Sequence, residues 1–416
     1  MTVEEWARSG LADLTGYPDA APDLSRARVL DRASATLARF IALVTTAVPA
    51  AVARGFESCD VADFLSGRAG LVGLRRGGRV SAGGATRLVN AADGILALSL
   101  ARDADRELVP ALLWRDGPAA GVVGADVRSG DVWAAVEAAA PAWRAADLVA
   151  RARLLGLPAA LLGEARPRLA VCRPRGARRE RPAYAGLLVA DLSALWAGPL
   201  CGQLLHRAGA TVVKVESPHR PDGTRAGNRD FFDWMNGGKL SYRTEFDNSS
   251  GGLRELLETA DVVIEASRPR ALARLGLAAD QLSAPAGQVW VRITAHGSDP
   301  ESADWVGFGD DAAVAGGLVA HTARGPVFCG DALADPLTGL EAARAVAEAI
   351  ADGGGVEIDI ALSGVAAAYA ADGVVEAPEV APPVSAPRVP LIGAHAHDLG
   401  ADNVVVNRLV AQRLRR

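Results

Sequence analysis

The chain has 416 residues, of which 50% are hydrophobic and 22% are charged. These proportions are typical of a globular protein and exclude a disordered or fibrous one. The formal net charge of -5 at pH 7 argues against a protein specialised for nucleic acids or anionic membranes, because such partners attract basic surfaces. A chain of this length is expected to fold into two or three domains.

The first residues, MTVEEWARSG, lack the basic region and apolar core of a secretory signal. The apolar stretches of the chain are interrupted well short of the ~20 residues that a membrane span needs, so we expect a cytoplasmic protein with no membrane partner. The four cysteines form no Cys-x-x-Cys pair, which disfavours structural zinc and a disulfide framework. His395 and His397, followed by Asp398, could ligate a metal, but no third cluster lies nearby in sequence, and we predict no metal site.

Residues 1–172 are predicted to form a helical segment followed by a small α/β domain. Apolar residues at helical spacing from Val29 to Val44 predict an amphipathic helix over residues 26–54. A glycine-dense stretch follows, and then two strands are expected around an Ala-Asp-Gly turn, at 88–90 and 94–100. Further helices are predicted at 103–113, 131–140 and 145–155.

A basic, proline-bearing run, RPRGARRERP, predicts a linker at residues 173–183. Beyond it, strands alternate with helices over 184–376, which is typical of an open, mostly parallel sheet. The first strand, helix and strand form a βαβ unit with the usual right-handed crossover. The predicted strands are 187–191, 211–216, 261–265, 288–294 and 356–360, and the predicted helices are 199–208, 251–259 and 338–351. Residues 377–416 are expected to form a proline-rich linker and a C-terminal helix.

The fold prediction is therefore an α/β protein with a Rossmann-like, mostly parallel sheet domain and a smaller α/β domain. In such sheets ligands bind beyond the carboxyl ends of the strands, near helix N-termini. The first turn has only Gly198 and Gly202, whereas a dinucleotide fingerprint needs G-x-G-x-x-G. Glu216 stands where a ribose-binding acid would lie, so a dinucleotide site remains a weak alternative. No P-loop motif is present.

Five collinear segments resemble the class III CoA-transferases, the family that also contains α-methylacyl-CoA racemase and the carnitine and bile-acid CoA-transferases. The segments are VADLSALWAGPLCGQLLHRAGATVVKVESP, MNGGKLSY, ADVVIEASRPRALARLGL, GDALADPLTGLEAARAVAEAI and GVEIDIALSG. The later VPLIGAHAHDLG resembles the closing segment of the family.

The order of the parts differs from that of the family. The family inserts a smaller α/β domain after the last of the five segments, where this chain has only a short proline-rich stretch. Residues 91–113 and 131–164 resemble that smaller domain instead. We therefore predict a permuted chain with the small domain first, which is feasible because domains fold as units. The resemblance implies a homodimer, and the permuted order leaves open whether it is interlocked as in the family.

The resemblance implies that CoA passes between an acyl-CoA donor and a small carboxylic acid. The family's nucleophile aligns with Asp335, and the implied intermediates are an acyl-aspartyl anhydride and an aspartyl-CoA thioester. On local sequence alone, Asp335-Pro336 predicts a helix N-cap with proline at the first helical position, and the two roles are compatible. Gly83 and Gly84 are candidate backbone donors to the oxyanion.

The resemblance also implies the CoA contacts, with CoA or acyl-CoA as substrate and no permanently bound cofactor. Leu195, Trp196 and Ala197 match the loop that contacts CoA, and Arg274 matches the arginine on the phosphate side.

Three positions depart from the family pattern. Ser217 replaces an arginine, and Ala266 and Ser267 replace an Asn-Phe pair. Other arginines could bind the phosphates instead, because a guanidinium suits bidentate phosphate recognition. Arg225 and Arg268 are our choices, with Arg220 and Arg270 as further candidates.

Two alternatives remain. A racemase needs a second acid/base group, in this family a His about thirty residues before the aspartate, to move the α-proton. The matching stretch holds Asp310 and Asp311 but no His, and His321 lies on a different segment; adjacent ionised carboxylates also oppose each other's charge. The altered CoA contacts and the permuted order suggest the other alternative, a catalytically silent CoA-binding subunit that pairs with an active homologue.

Overall fold

The computed structural model describes residues 2–114, 131–180, 182–247, 251–376 and 378–415. It confirms the predicted fold class, an α/β protein with a mostly parallel sheet and a smaller sheet. Of the helices in these ranges, none combines the length and the apolarity that crossing a bilayer requires.

Helices precede the first strand. They are α1 (Val3–Arg8), α2 (Ala27–Thr45), α3 (Ala50–Arg54) and α4 (Val61–Val72). The prediction of one helix within 26–54 is wrong in its last part, because α2 ends at Thr45 and a separate helix begins after Pro49. Proline is tolerated at a helix start but not in a helix interior. The start of the glycine-dense stretch is also helical, as the C-terminal half of α4.

The smaller α/β unit is an antiparallel sheet covered by helices. Its strands are β1 (Thr86–Asn90), β2 (Ile95–Ser99) and β3 (Ala159–Leu161), and its described helices are α5 (Asp103–Glu107), α6 (Val109–Leu113), α7 (Val132–Ala139) and α8 (Ala145–Leu154). The predicted hairpin of β1 and β2 is confirmed. The predicted helix over 103–113 divides at Leu108, because Pro110 has no N–H with which to continue the first helix.

The remaining strands follow residue 170. They are β4 (Val171–Pro174), β5 (Leu188–Leu192), β6 (Thr211–Glu216), β7 (Leu240–Arg243), β8 (Val262–Glu265), β9 (Val289–Thr294), β10 (Val319–Thr322), β11 (Gly325–Phe328) and β12 (Val356–Ala361). Strands β10 and β11 form a separate hairpin, and the other seven form one sheet in the order β4-β12-β9-β8-β5-β6-β7. Only β4 is antiparallel to its neighbour.

The described helices that follow β5 complete the fold. They are α9 (Ala197–Arg207), α10 (Arg229–Asn236), α11 (Gly251–Thr259), α12 (Pro269–Arg274), α13 (Gly309–Ala315), α14 (Ala334–Ala351), α15 (Leu362–Ala370) and α16 (Asn403–Arg413). Helix α9 connects the parallel strands β5 and β6, as predicted. Helix α14 packs against both α9 and α2, so the N-terminal helices share a core with the large sheet.

The division of the chain into domains stays a prediction. Strand β4 crosses the boundary predicted at residue 173, as an edge strand of the large sheet. At the other end, the described residues 378–396 form no helix or strand, and two of them contact the N-terminal helices. Ser385 N donates to Ala7 O at 2.9 Å, and Arg388 pairs with Asp60 and Asp63.

Candidate active site

The turn between β5 and α9 carries three of the predicted CoA contacts and lies at the carboxyl edge of the large sheet. Because the strands other than β4 run in parallel, the loops that follow them meet at this edge. Leu195 has a left-handed φ of 69°, and its N–H donates to both carboxylate oxygens of Asp222 at 3.2 Å. Leu195 is 38% exposed, whereas Trp196 and Ala197 are buried. Of these three residues, Leu195 is therefore the one that faces solvent.

Lys214 anchors the start of this turn. Its ammonium is buried, donates to the carbonyl of Ser193 and pairs with Asp222 at 2.8 Å. Burial alone would raise the pKa of Asp222, but the Lys214 charge outweighs burial and lowers that pKa to about 2. Asp222 is therefore ionised at neutral pH and links the lysine to the backbone of Leu195.

Lys239, the other lysine of the chain, anchors the end of the turn. Its buried Nζ donates to Asp191 Oδ2 and to Pro199 O, at 2.9 Å each. Burial would raise the pKa of Asp191, but the Lys239 and Lys214 charges hold it below its usual range. The two ion pairs thus fix the backbone on both sides of the turn.

Asp335 lies in the first turn of α14 and is half-buried. The prediction that it is the N-cap is wrong, because the helix begins at Ala334 and Leu333 is the cap. A Cβ on Gly309 would lie 2.4 Å from Asp335 Oδ2, so only glycine fits beside the carboxylate. One turn later, a Cβ on Gly339 would lie 2.7 Å from Ala197 O. Residues four apart share a helix face, so Asp335 is a neighbour of the β5–α9 turn.

Asp310, Asp311 and Asp331 lie near Asp335. Asp310 Oδ1 accepts from Ala332 N at 3.0 Å, and Asp311 Oδ1 accepts from the Ser99 hydroxyl of the smaller unit at 2.8 Å. These contacts join the start of α13 to the loop before α14 and to strand β2.

Burial and mutual repulsion raise the pKa values of these carboxyls. Burial, followed by the Asp310 charge, raises the pKa of Asp335 to about 7. Burial, followed by the Asp331 charge, raises the pKa of Asp310 to about 6. Burial raises the pKa of Asp311 to about 7. Near neutral pH the site can therefore hold ionised and protonated carboxyls side by side.

Arg68 brings a positive charge to this cluster from α4. Its Nη1 donates to Asp331 Oδ1 and Oδ2 at 2.6 and 2.8 Å. Its guanidinium carbon lies 5.8 Å from the ring centres of Trp196 and Phe231. The Arg68 charge also lowers the pKa of Asp335 against the effect of burial. A residue of the N-terminal helices thus connects the β5–α9 turn to the loop before α14.

The predicted oxyanion loop lies next to Arg68. A Cβ on Gly83 would be 3.7 Å from Arg68 Nη2, and a Cβ on Gly84 would meet no heavy atom within 4 Å. Gly84 has a left-handed φ of 78°, which favours glycine. The structure therefore places this loop beside Arg68, and its oxyanion role stays a prediction.

Arg225, one of the predicted phosphate ligands, forms an internal ion pair. Its Nη2 donates to Glu216 Oε2 at 2.6 Å, and its Nη1 donates to His397 O at 3.2 Å. The guanidinium also lies 4.3 Å from the ring centre of Phe232. The ion pair thus occupies the carboxylate of Glu216, which in the alternative of a dinucleotide site would have to bind the ribose.

Arg268 is the N-cap of helix α12 and Arg274 is its last residue, and both are exposed. Arg270, between them, pairs with Asp304 at 2.8 Å. These three arginines therefore lie on a solvent-facing segment after β8, at the same sheet edge as the β5–α9 turn. Their contact with CoA stays a prediction.

The two histidines of the His-x-His motif have different partners. His395 Nδ1 lies 2.6 Å from Asp233 Oδ2, and His397 Nδ1 lies 2.6 Å from Asp402 Oδ2. Across the described ranges, no group of three or more His, Cys, Asp or Glu side chains is arranged to hold a metal. The four cysteines are free thiols.

Sequence reasoning missed Arg68 and Asp331. Arg68 lies in a glycine-dense stretch of an arginine-rich chain, and no local pattern distinguishes it from other arginines. Asp331 precedes Asp335 by four residues within GDALADP, so a search for a second acid in that segment would have found it.

The model of CoA-transferase family III matches residues 184–395, which is just over half of the chain. The chain belongs to CoA-transferase family III. The match covers the large sheet from β5 onward, α14 with Asp335, and the segment that follows α15.

Related proteins are similar to this family III chain over part of their length. A succinate–glutarate CoA-transferase of Agrobacterium fabrum is 31% identical over 215 residues, 46% of this chain and 54% of the relative. A succinyl-CoA–D-citramalate CoA-transferase of Chloroflexus aurantiacus is 32% identical over 191 residues, 42% of this chain and 48% of the relative. The crystal structure of a CAIB/BAIF family protein from Brucella suis shows 29% identity and a TM-score of 0.41, over 46% of this chain and 56% of that chain. The chain spans about half the length of the curated relatives it matches.

Proposed function

We propose that this protein is a CoA-transferase that moves CoA from an acyl-CoA donor to a small carboxylic acid, with Asp335 as the nucleophile. The position of Asp335 carries this proposal: a half-buried carboxylate in the first turn of α14, beside the β5–α9 turn. A carboxylate in the first turn of a helix is favoured by ~0.3–1 kcal/mol of interaction with the helix dipole. Partial burial also removes hydration that would otherwise shield the attacking oxygen.

The reaction we propose needs no net proton transfer. Asp335 attacks the thioester carbonyl and expels the CoA thiolate, which leaves an acyl-aspartyl anhydride. The thiolate then attacks the aspartyl carbonyl, releases the donor acid and forms an aspartyl-CoA thioester. The acceptor carboxylate attacks this thioester, and the expelled thiolate attacks the acceptor's carbonyl in the new anhydride. The second attack releases the new acyl-CoA and regenerates Asp335. Covalent catalysis of this kind conserves the thioester energy.

The predicted binding groups complete this proposal. Leu195, Trp196 and Ala197 would contact the CoA chain, because their turn lies next to Asp335. The exposed Arg268 and Arg274 would bind its phosphates, and Arg225 would support them from its ion pair with Glu216. Backbone N–H groups of Gly83 and Gly84 would stabilise the oxyanion of each tetrahedral intermediate.

The test is chemical trapping at Asp335. The full chain is incubated with acetyl-CoA or succinyl-CoA and hydroxylamine, and its peptides are examined by mass spectrometry. We expect a hydroxamate at Asp335, because hydroxylamine attacks an activated aspartyl carbonyl. Asp335→Asn should show neither the adduct nor CoA transfer, whereas Asp299→Asn, an exposed carboxylate, should behave as wild type. An unmodified Asp335 while CoA is being transferred would contradict the proposal. Transfer by a mixture with a second transferase that is unaffected by Asp335→Asn would favour the silent subunit.

Racemisation at the α-carbon is a second candidate, and one observation favours it. The pKa of Asp310 is raised to about 6 and that of Asp335 to about 7, chiefly by burial, so one carboxyl can be protonated while the other is ionised. Such a pair could remove a proton and return it. A racemase should incorporate deuterium at the α-carbon of a 2-methylacyl-CoA in deuterated water without any acid acceptor, and Asp310→Asn should abolish this exchange.

A further inference from the structure

We propose that Arg68 binds the carboxylate of the acid substrate, an assignment that rests on the proposed function. In the second half of that reaction a free carboxylate must approach an aspartyl carbonyl on Asp335. The negative charges of Asp310, Asp311 and Asp331 act on Asp335, and they also repel an approaching carboxylate. An anionic substrate therefore needs a cation beside Asp335, and α4 supplies one.

One edge of the Arg68 guanidinium is available to bind a ligand. Its Nη1 donates to both oxygens of Asp331, whereas its Nε and Nη2 donate to no acceptor among the residues that the structure describes. Nε and Nη2 form the side edge of the guanidinium, whose parallel N–H groups match a carboxylate. The side chain is 28% exposed, so a small solute can reach it.

Three structural elements hold this edge in position. The Asp331 ion pair orients the guanidinium from the loop before α14. The rings of Trp196 and Phe231 face it at 5.8 Å, close enough for cation–π attraction. Gly83 approaches Nη2 from the third side without a side chain to block it. An orientation fixed before binding lowers the entropy that ligand binding must offset.

The position also matches the geometry of the reaction. Trp196 belongs to the β5–α9 turn that would hold the CoA chain, and Asp331 precedes Asp335 by four residues in the loop before α14. Arg68 connects the two, so a carboxylate on its free edge would lie between the CoA chain and the reacting aspartyl group. The ligand class is a small carboxylate, and a neutral amide of the same shape should not bind.

The first test is direct binding, which does not depend on catalysis. Equilibrium dialysis of the full chain should show that succinate binds and that the neutral succinamide does not. Arg68→Met should weaken succinate binding at least about tenfold, because a charge-assisted, two-point contact is lost. Arg68→Lys should weaken it less. Asp331→Asn is the matched control: it removes the same ion pair but keeps the guanidinium, so it should weaken succinate binding much less than Arg68→Met does.

The second test separates the two half-reactions. Arg68→Met should still form the Asp335 adduct from succinyl-CoA, but its KM for the acid acceptor should rise at least about tenfold. If Arg68 only stabilises the fold, Arg68→Met and Asp331→Asn will weaken acid binding equally, which overturns the assignment. The double variant Arg68→Met/Asp331→Asn leaves no unpaired buried charge and serves if the single variant does not fold. Two outcomes separate the Arg68 site from the proposed function. If the wild type binds succinate but forms no adduct at Asp335, the proposed function is refuted and the Arg68 site is not. If Arg68→Met keeps the acid affinity of the wild type, the Arg68 site alone is refuted.

Discussion

The proposed attack on a thioester requires an ionised Asp335, yet burial and the charge of Asp310 raise its pKa to about 7. Asp311 and Asp331 act in the same direction, and Arg68 opposes them. These groups come from α4, the start of α13 and the loop before α14. The protonation of this one side chain should therefore control the rate in the neutral range.

The pH dependence of kcat/KM for acyl-CoA tests this control. Below pH 7 we expect a fall of about tenfold per pH unit, because only the ionised fraction reacts. Asp310→Asn removes a negative charge and should shift this acidic limb to lower pH. Asp299→Asn lies on the surface and should leave the profile unchanged. A flat profile between pH 5 and 8 in the wild type would contradict the role of Asp335.

At the scale of elements, two buried ion pairs define the turn between β5 and α9. Lys239→Met should lower the free energy of unfolding by about 3–5 kcal/mol, because it leaves the buried Asp191 carboxylate without its ion-pair partner. Urea denaturation measures the change. The double variant Lys239→Met/Asp191→Leu should recover part of the loss, since no charge remains buried. Arg39→Met, which breaks an exposed pair with Glu348, should cost less than about 1 kcal/mol.

The close approach of α13 to α14 gives a second prediction at this scale. Gly309→Ala should slow formation of the Asp335 adduct and cost about 1–3 kcal/mol of stability, because the added methyl would overlap Asp335 Oδ2 and Ala332 O. Gly251→Ala is a matched control, since Gly251 also begins a helix but its Cβ would lie in open space. Equal effects of the two substitutions on adduct formation would refute this contact.

At the scale of the whole molecule, the N-terminal helices belong to the same hydrophobic core as the large sheet. Phe40 of α2 is fully buried in that core, and α2 packs against α14. Phe40→Ala should therefore destabilise the protein by about 3–5 kcal/mol and also slow the reaction at Asp335. Thermal unfolding and adduct formation measure the two effects. Leu154→Ala, at a highly exposed position, should change neither.

The predicted homodimer is tested at the same scale. The resemblance implies a dimer, and light scattering of the purified chain in solution would give its mass directly. A monomeric mass would show that one chain can form the site described above, from its own N-terminal helices and its own sheet.

The fold class, most strands and helices of the large sheet, and the family were predictable from the sequence, because each rests on patterns that are local. Local patterns predict the same structure whatever the rest of the sequence is. Examples are the apolar runs at 187–191 and 211–216 and the motif around Asp335. The predicted helix boundaries were wrong where a single proline interrupted a helix, as Pro49 and Pro110 did.

The surroundings of Asp335 were decided by tertiary structure alone. Arg68 and Asp331 are 263 positions apart, and Ser99 and Asp311 are 212 positions apart. Packing of α4 against α14 and of the smaller unit against α13 brings these pairs together, and no local sequence pattern predicts such contacts. The raised pKa of Asp335 has the same origin, because burial and neighbouring charge are properties of the folded site.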